Sequence, residues 1–433
     1  MKVMGVQTNF KNRAFDTKNH QDPLRICLLS YRSNPHSGGQ GVYVKNLSRA
    51  LKNLGHQVEV VAGPPDLLLD EDIQVYRLPS LDLYNPEALF RIPTLRELRD
   101  PINILEWIGV STMGFPEPYT FGLRAERFLR DKYDHYDIIH DNQSLSYSLL
   151  TMQKFVPMIA TIHHPITVDR KLDIAAVRTP WKKFKQVRWY SFVGMQKKVS
   201  QKLSKIITVS ECARNDISRD FNVPGQRFKV IPNGINTELF YPLPEIEREK
   251  NRIIVTNSAD MPLKGLDYLL KAVKEVSKTH PVNLTVVGKP KKKSRIIKLI
   301  KELGIGPQVT FTGRIDDGNF VRCYATATMA VIPSLYEGFG LPAGEAMACG
   351  VPVISTSGGA LPEVVGDAGI IIPSADPRAL AEAIKGLLDN PERAKALGEA
   401  GFKRVHRYFT WEKAAESTVE AYRETIDDYG RLQ

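Results

Sequence analysis

The chain has 433 residues, 42% of them hydrophobic and 25% charged, with a formal net charge of +11. That is an ordinary globular composition, too long for one compact core and comfortable for two. No run of about 20 apolar residues is present, which excludes a membrane-spanning helix. The four cysteines (Cys27, Cys212, Cys323 and Cys349) show no CxxC spacing and no paired histidines nearby, so a zinc site or a disulfide framework is not expected. Reduced thiols of a cytoplasmic protein are the plain reading. The positive charge suits an anionic partner such as a nucleic acid, lipid headgroups or a phosphorylated substrate, but no nucleic-acid module signature is found.

In chain order, residues 1–21 are polar, carry Lys2, Lys11, Arg13 and Lys18, and lack the apolar run of a secretory signal. They read as a mobile tail. Residues 24–31, LRICLLSY, form a short apolar run of the kind found in buried parallel strands. The loop RSNPHSGGQG follows. A helix is then expected over 42–56, where Val42, Leu47, Ala50, Leu51 and Leu54 approximate helical spacing and Gly55 suits the C-terminal cap. The strand QVEVVAG completes a βαβ unit. YDIIHD, PMIATIHH, KIITVS and FKVIP are further strands, with one helix expected over 182–203.

The segment YPLPEIEREK over 241–250 sets two prolines among charged residues and reads as a linker. From Asn251 the alternation restarts with RIIVTNS, NLTVVG, QVTFTG, MAVIPS, PVISTS and GIIIPS as strands between amphipathic stretches. The chain ends in a long helical tail beyond Trp411. Two successive βαβ runs imply two doubly wound parallel sheets, with a ligand outside the carboxyl ends of the strands and in the cleft between the halves.

The most specific segment is PSLYEGFGLPAGEAMACGVPVISTSGGALPEVVG over 333–366. Seven residues separate Glu337, which precedes the loop GFGLP, from Glu345, expected in the first turn of the next helix. Ionised carboxylates accept hydrogen bonds, and sugars are dense in hydroxyl donors. Glycines let backbone amides approach a ligand, and amides at a helix start bind anions. This segment therefore offers hydroxyl acceptors beside a phosphate cradle. Lys264 lies in SADMPLKGLDYLL at a helix start and can neutralise a pyrophosphate. His163 ends the strand IATIHHP, with His164 beside it. Gly38 and Gly39 lie in NPHSGGQGVYV, between a strand and a helix.

These motifs resemble the retaining GT-B glycosyltransferases of family 4, the glycosyl transferases group 1, from about Pro23 to the C-terminus. The resemblance implies an α/β, GT-B fold of two Rossmann-like domains facing across a cleft. An acceptor domain would span 22–240, a nucleotide-sugar donor domain 251–410, and a helical tail over 411–433 would return to the first domain. It implies that Glu337 contacts the donor sugar and Glu345 the ribose hydroxyls. Gly338, Phe339 and Gly340 would meet sugar and diphosphate through the backbone, and Gly38 and Gly39 the diphosphate through their amides. His163 would lie near the transferred sugar, and Lys264 on the diphosphate. His163, Lys264 and Glu337 are thus the catalytic candidates.

The family places an arginine five residues before the lysine, where this chain has Ala259; Arg314, in a loop near the nucleotide base in the family, is a candidate for the missing charge. No metal and no cofactor is implied beyond the nucleoside-diphosphate-sugar co-substrate, because cationic side chains and helix N-termini replace the divalent ion.

The activity implied is transfer of a hexose-like sugar to a hydroxyl acceptor with retention of configuration. Two further readings stay open: a nucleotide-sugar-binding protein with little turnover, kept alive by Ala259, and a phosphorylase or synthase on the same fold. Acceptor contacts are expected from 81–119, rich in aromatics and prolines. The aromatic and lysine-rich stretch 181–203 could lie on an anionic membrane face and fits a lipid-linked acceptor, or could be an ordinary domain helix with a solvated basic face. VSECARNDI and IPNGIN also match family segments, with Ser210 an expected helix cap and Asn233 and Gly234 a turn.

Overall fold

Short runs rich in Ile, Val and Leu become strands covered on both faces, and the stretches between them become helices with one apolar face. The computed structural model describes residues 22–32, 39–85, 87–177, 179–256, 261–291 and 294–432. Gly38 and Ala259 lie outside the described residues.

The first sheet has seven parallel strands: β1 (Arg25–Ser30), β2 (Gln57–Ala62), β3 (Gln74–Arg77), β4 (Ile138–Asn142), β5 (Met158–Ile162), β6 (Ile206–Thr208) and β7 (Phe228–Val230), in the order β3-β2-β1-β4-β5-β6-β7. The second has six, also parallel: β8 (Arg252–Thr256), β9 (Asn283–Val287), β10 (Val309–Phe311), β11 (Met329–Ile332), β12 (Val353–Thr356) and β13 (Ile370–Ile372), in the order β10-β9-β8-β11-β12-β13. The strand order reverses between β1 and β4 in one sheet and between β8 and β11 in the other. Such switch points open a crevice at the carboxyl ends of the strands.

Each sheet is buried between helices. In the first, Leu29, Ile139 and Ile162 pack on one face, and Ile26, Val60 and Ile138 on the other. In the second, Val255, Leu284 and Val331 face one layer, and Ile254, Ala330 and Val353 the other.

The chain crosses between the halves at two adjacent places. The Ile235 amide donates to the Phe409 carbonyl at 2.8 Å, and a Cβ on Gly234 would stand 2.5 Å from Trp411, so the two crossings pack side by side. The helix Trp411–Leu432 then lies on the first sheet, with Trp411, Ala415 and Tyr422 buried in the cluster that holds Ile26 and Leu47.

Two expectations about helices are corrected. The helix expected over 182–203 is broken: Pro180–Trp189 ends in a 3-10 turn, Tyr190–Phe192, and Val193–Ser200 follows. Residues two apart point to opposite sides of an α-helix, and the tight turn lets Tyr190 and Phe192 both enter the core. The first helix starts at Gly39 rather than Val42.

Candidate active site

The turn that carries Lys264 is fixed by its neighbours. Pro262–Lys264 is one 3-10 turn after β8, closed by Gly265 at φ +66°. A Cβ on Gly265 would stand 1.9 Å from the Pro333 carbonyl oxygen, so only glycine lets the turn lie against the strand end. The Leu335 amide donates to the Leu263 carbonyl at 2.7 Å. The lysine turn and the segment after β11 are thereby one unit. Across it, Lys264 Nζ donates to Glu337 Oε1 at 2.6 Å, and the same oxygen accepts from Ser334 Oγ at 2.7 Å.

The loop Gly338-Phe339-Gly340 leads into the helix Leu341–Ala348. The Phe339 ring is buried and meets Phe409 edge-on at 5.7 Å, which anchors the loop from below. The amides of Gly338, Phe339 and Gly340 donate no hydrogen bond among the described residues. Polar N–H groups at a helix start that are left without protein partners are suited to an anion.

Glu345 is the fifth residue of this helix and so stands in its second turn, which corrects the expectation that placed it in the first. The helix opens at Leu341, directly after the left-handed Gly340 at its N-cap. One carboxylate oxygen of Glu345 accepts from Tyr324 Oη at 3.3 Å. Burial pushes the carboxyl up to about 7, and the tyrosine hydroxyl opposes that only in part.

The first domain contributes the ends of β4 and β5. His163 follows β5, and its amide donates to Gln143 Oε1 at 2.8 Å. The ring of His163 meets Tyr43 edge-on at 4.7 Å, and its Nε2 lies 2.8 Å from Asn142 Oδ1. An amide oxygen only accepts, and Asn142 Nδ2 is turned to the Gln40 carbonyl, so Nε2 carries the proton and Nδ1 keeps a lone pair. Burial holds the imidazole down at about 3, with His164 and His140 adding to the effect. His163 is therefore neutral, a hydrogen-bond acceptor rather than a cation. His164 is engaged instead with Asp169, Nε2 to Oδ2 at 3.0 Å.

The two halves touch here. A Cβ on Gly338 would stand 2.7 Å from the His163 carbonyl oxygen. Ser210, the cap of the helix Glu211–Phe221, accepts from the Ala213 amide and donates to the Gly338 carbonyl at 2.7 Å. The Glu363 carboxylate accepts from the Glu211 and Cys212 amides at 2.8 and 2.7 Å, and Tyr336 Oη donates to Asp216 at 2.9 Å. A helix N-terminus of the first domain is thus held by a carboxylate of the second.

The structure therefore brings His163, Lys264, Glu337 and Gly338-Phe339-Gly340 to one place. Glu345 stands behind them on the following helix. Gly39 opens the helix Gly39–Asn53 after β1. Arg314 is exposed in the loop after β10 and makes no ion pair or side-chain hydrogen bond among the described residues, Lys264 and both glutamates included. No cluster of three metal-ligating side chains occurs among the described residues.

Sequence reasoning did not single out Asn142, Gln143, Ser334, Tyr324 or Glu363. The polar run HDNQS at the end of an otherwise apolar strand was the available signal for the first two. Tyr324 and Glu363 lie on other helices and come near only through the fold.

Comparison with known proteins bears on this geometry. The family model for glycosyl transferases group 1 matches residues 243–404, and that for Glycosyltransferase Family 4 matches 37–239. The chain is 44% identical over 408 residues to an MMP alpha-(1->4)-mannosyltransferase of Mycolicibacterium hassiacum, covering 93% of this chain and 98% of the relative. It is 28% identical to D-inositol 3-phosphate glycosyltransferase 2 of Catenulispora acidiphila, over 95% and 97% of the two chains.

Among solved structures, sucrose-phosphate synthase of Thermosynechococcus elongatus superposes with a TM-score of 0.70 at 25% identity, over 93% of this chain and all of the other. Anabaena HepE, solved in complex with UDP and glucose, superposes with a TM-score of 0.68 at 16% identity, over 92% and 99%. The second likeness is one of fold.

Proposed function

The chain belongs to the glycosyl transferases group 1 and is a glycosyltransferase of GT-B fold; on that premise we propose that it moves a hexose from a nucleoside-diphosphate-sugar to a hydroxyl acceptor with retention at the anomeric carbon. The observation that carries this reading is the Lys264–Glu337 pair set beside three amides that donate to no partner among the described residues. A diphosphate arriving there gains a cation and N–H donors and releases Glu337 for sugar hydroxyls. Glu345 takes the ribose hydroxyls, and the lone pair on His163 Nδ1 accepts from a hydroxyl of the transferred sugar.

As the glycosidic bond breaks, negative charge collects on the departing phosphate. Lys264 and the loop amides stabilise that charge, which is commonly the largest catalytic contribution. The departing phosphate oxygen takes the acceptor proton on the face of attack. Charge is handled by side chains and helix N-termini, with no metal ion in the scheme. The contacts from Ser210, Tyr336 and Glu363 hold the cleft shut and limit hydrolysis.

The relative's name makes mannose the first sugar to try and an α linkage the expected product. Proton NMR of the product from an α-configured mannosyl nucleotide tests the reading. An α-linked product supports retention, and a β-linked product contradicts it.

A further inference from the structure

A cavity of about 620 Å³ opens in the first domain, between residues 83–84 and 90–114 on one side and the helices Thr167–Ala176 and Pro180–Trp189 on the other. No residue placed at the candidate site lines it. Four aromatic side chains, Tyr84, Phe90, Trp107 and Trp189, stand in its walls beside Leu83, Val110 and Met113. Phe115 stacks on Trp189 at 5.0 Å with 27° between the planes and is not itself a wall residue. Tyr84 meets Trp189 edge-on at 5.3 Å, and its hydroxyl is tied to the Gly114 carbonyl at 2.7 Å. Packing and this hydrogen bond hold the rings in place.

A few polar groups face the same space. Asp173 accepts from Tyr190 Oη at 2.6 Å with one oxygen, and the other makes no hydrogen bond among the described residues. Ser111 and Gln186 also line the cavity, and neither side chain makes a hydrogen bond among the described residues.

The cavity adjoins the cleft. Asp169 holds His164, and Asp173 stands about one helical turn, ~6 Å, further along the same helix. The His164 Cβ is 3.0 Å from where a Cβ on Gly338 would be. On the other side, Arg32, two residues past β1, places its guanidinium carbon 5.8 Å from the Tyr84 ring centre.

We propose that this cavity is the acceptor subsite and takes a neutral saccharide, its C–H face on an indole and its hydroxyls paired with Asp173, Gln186 and Ser111. The proposal rests on the reading of the chain as a nucleotide-sugar transferase. A pyranose combines apolar faces with a girdle of hydroxyls, which is the mixture these walls present. The volume is that of an ordinary small-molecule site, which is about 300–1,000 Å³. A lipid tail would leave the free oxygen of Asp173, Gln186 and Ser111 without partners, which is costly. An anionic acceptor would meet Asp173, while of the two cations on the walls Arg91 is already taken up by Glu97 at 2.6 Å and the Leu81 carbonyl at 3.0 Å, and Lys185 turns its Nζ over the Trp181 ring at 5.5 Å, away from the wall residues. A bilayer is the rival for the outer surface, where Trp181 and Phe184 stack in the open, but it cannot enter a concave site.

The test uses the full chain, with α-(1→4)-linked mannotriose and maltotriose as saccharide probes and phosphatidylglycerol vesicles as the rival. Binding is read by indole fluorescence, and nucleotide-sugar binding separately by thermal shift. Two variants are compared: Trp107→Ala, which removes a half-exposed wall, and Ser111→Trp, which fills the cavity from its exposed rim. The expected result is that a trisaccharide binds and loses at least tenfold in affinity in both variants, while the shift with nucleotide sugar is unchanged. The proposal is overturned if neither trisaccharide binds, if the variants bind as tightly as the parent, or if Trp107→Ala loses vesicle binding and not saccharide. Failure of every nucleotide sugar to shift the parent protein would instead count against the proposed function.

Discussion

Glu345 sits in a surrounding that opposes its charge, and this gives the site a pH signature. Its carboxyl is raised from 4.5 to about 7, chiefly by burial. A raised carboxyl favours the folded state when protonated, so its contribution is fully present below about pH 4.5 and is lost as pH rises through about 7. In the proposed site the ribose hydroxyls need the carboxylate, so donor affinity is expected to have the opposite slope. It should fall as pH drops below about 7, approaching tenfold per unit. Glu345→Gln, which never ionises, should bind donor weakly and with little pH dependence. Donor titrations between pH 6 and 8 check this, and an unchanged slope in the variant would remove Glu345 from the ribose. Glu117, also raised to about 7 by burial, moves stability in the same direction, so binding rather than melting is the right readout.

At this scale the glutamates and Lys264 were legible because their chemistry is written in one short segment each. The tautomer of His163 was not, since it depends on Asn142 and on what Asn142 Nδ2 meets.

Among the elements, the loop before the helix Leu341–Ala348 carries most of the geometry. Gly338 admits no side chain, because a Cβ would press on the end of β5 at the His163 carbonyl. Gly338→Ala should leave both domains folded but push the loop away from His163. The expected outcome is near-native circular dichroism with a KM for donor raised roughly tenfold or more, about 1.4 kcal/mol. Steady-state kinetics read this directly, and a native KM would show that the contact is dispensable.

The sheets themselves could be read from apolar runs of strand length. The run 182–203 misled because its apolar residues suit one long helix, whereas the core asks for Tyr190 and Phe192 on the same side. Strand register and the pairing of β1 with β4 depend on contacts between distant segments, which periodicity does not carry.

The whole molecule is tied by its last helix, Trp411–Leu432, which starts at the second crossing and ends on the first sheet. Tyr422 Oη lies 2.6 Å from His140 Nδ1, and His140 Nε2 lies 2.7 Å from Thr161 Oγ1. Burial keeps this histidine neutral, with its pKa held down at about 3. Tyr422→Phe would leave a buried ring nitrogen without a partner, a loss of about 1–3 kcal/mol. Chemical denaturation should show that loss, with donor affinity nearly unchanged if the helix serves only to fasten the halves.

If the cleft is a nucleotide-sugar site built on Glu345, as proposed, donor binding must depend on that carboxylate. The most direct measurement is a thermal-shift series of the protein and its Glu345→Ala variant against UDP-, GDP-, ADP- and dTDP-sugars, because a ligand that binds only the folded state raises its melting temperature. A shift with one nucleotide family, lost in the variant, is expected. A variant that keeps the full shift, or a parent that responds to no donor, would contradict the proposal.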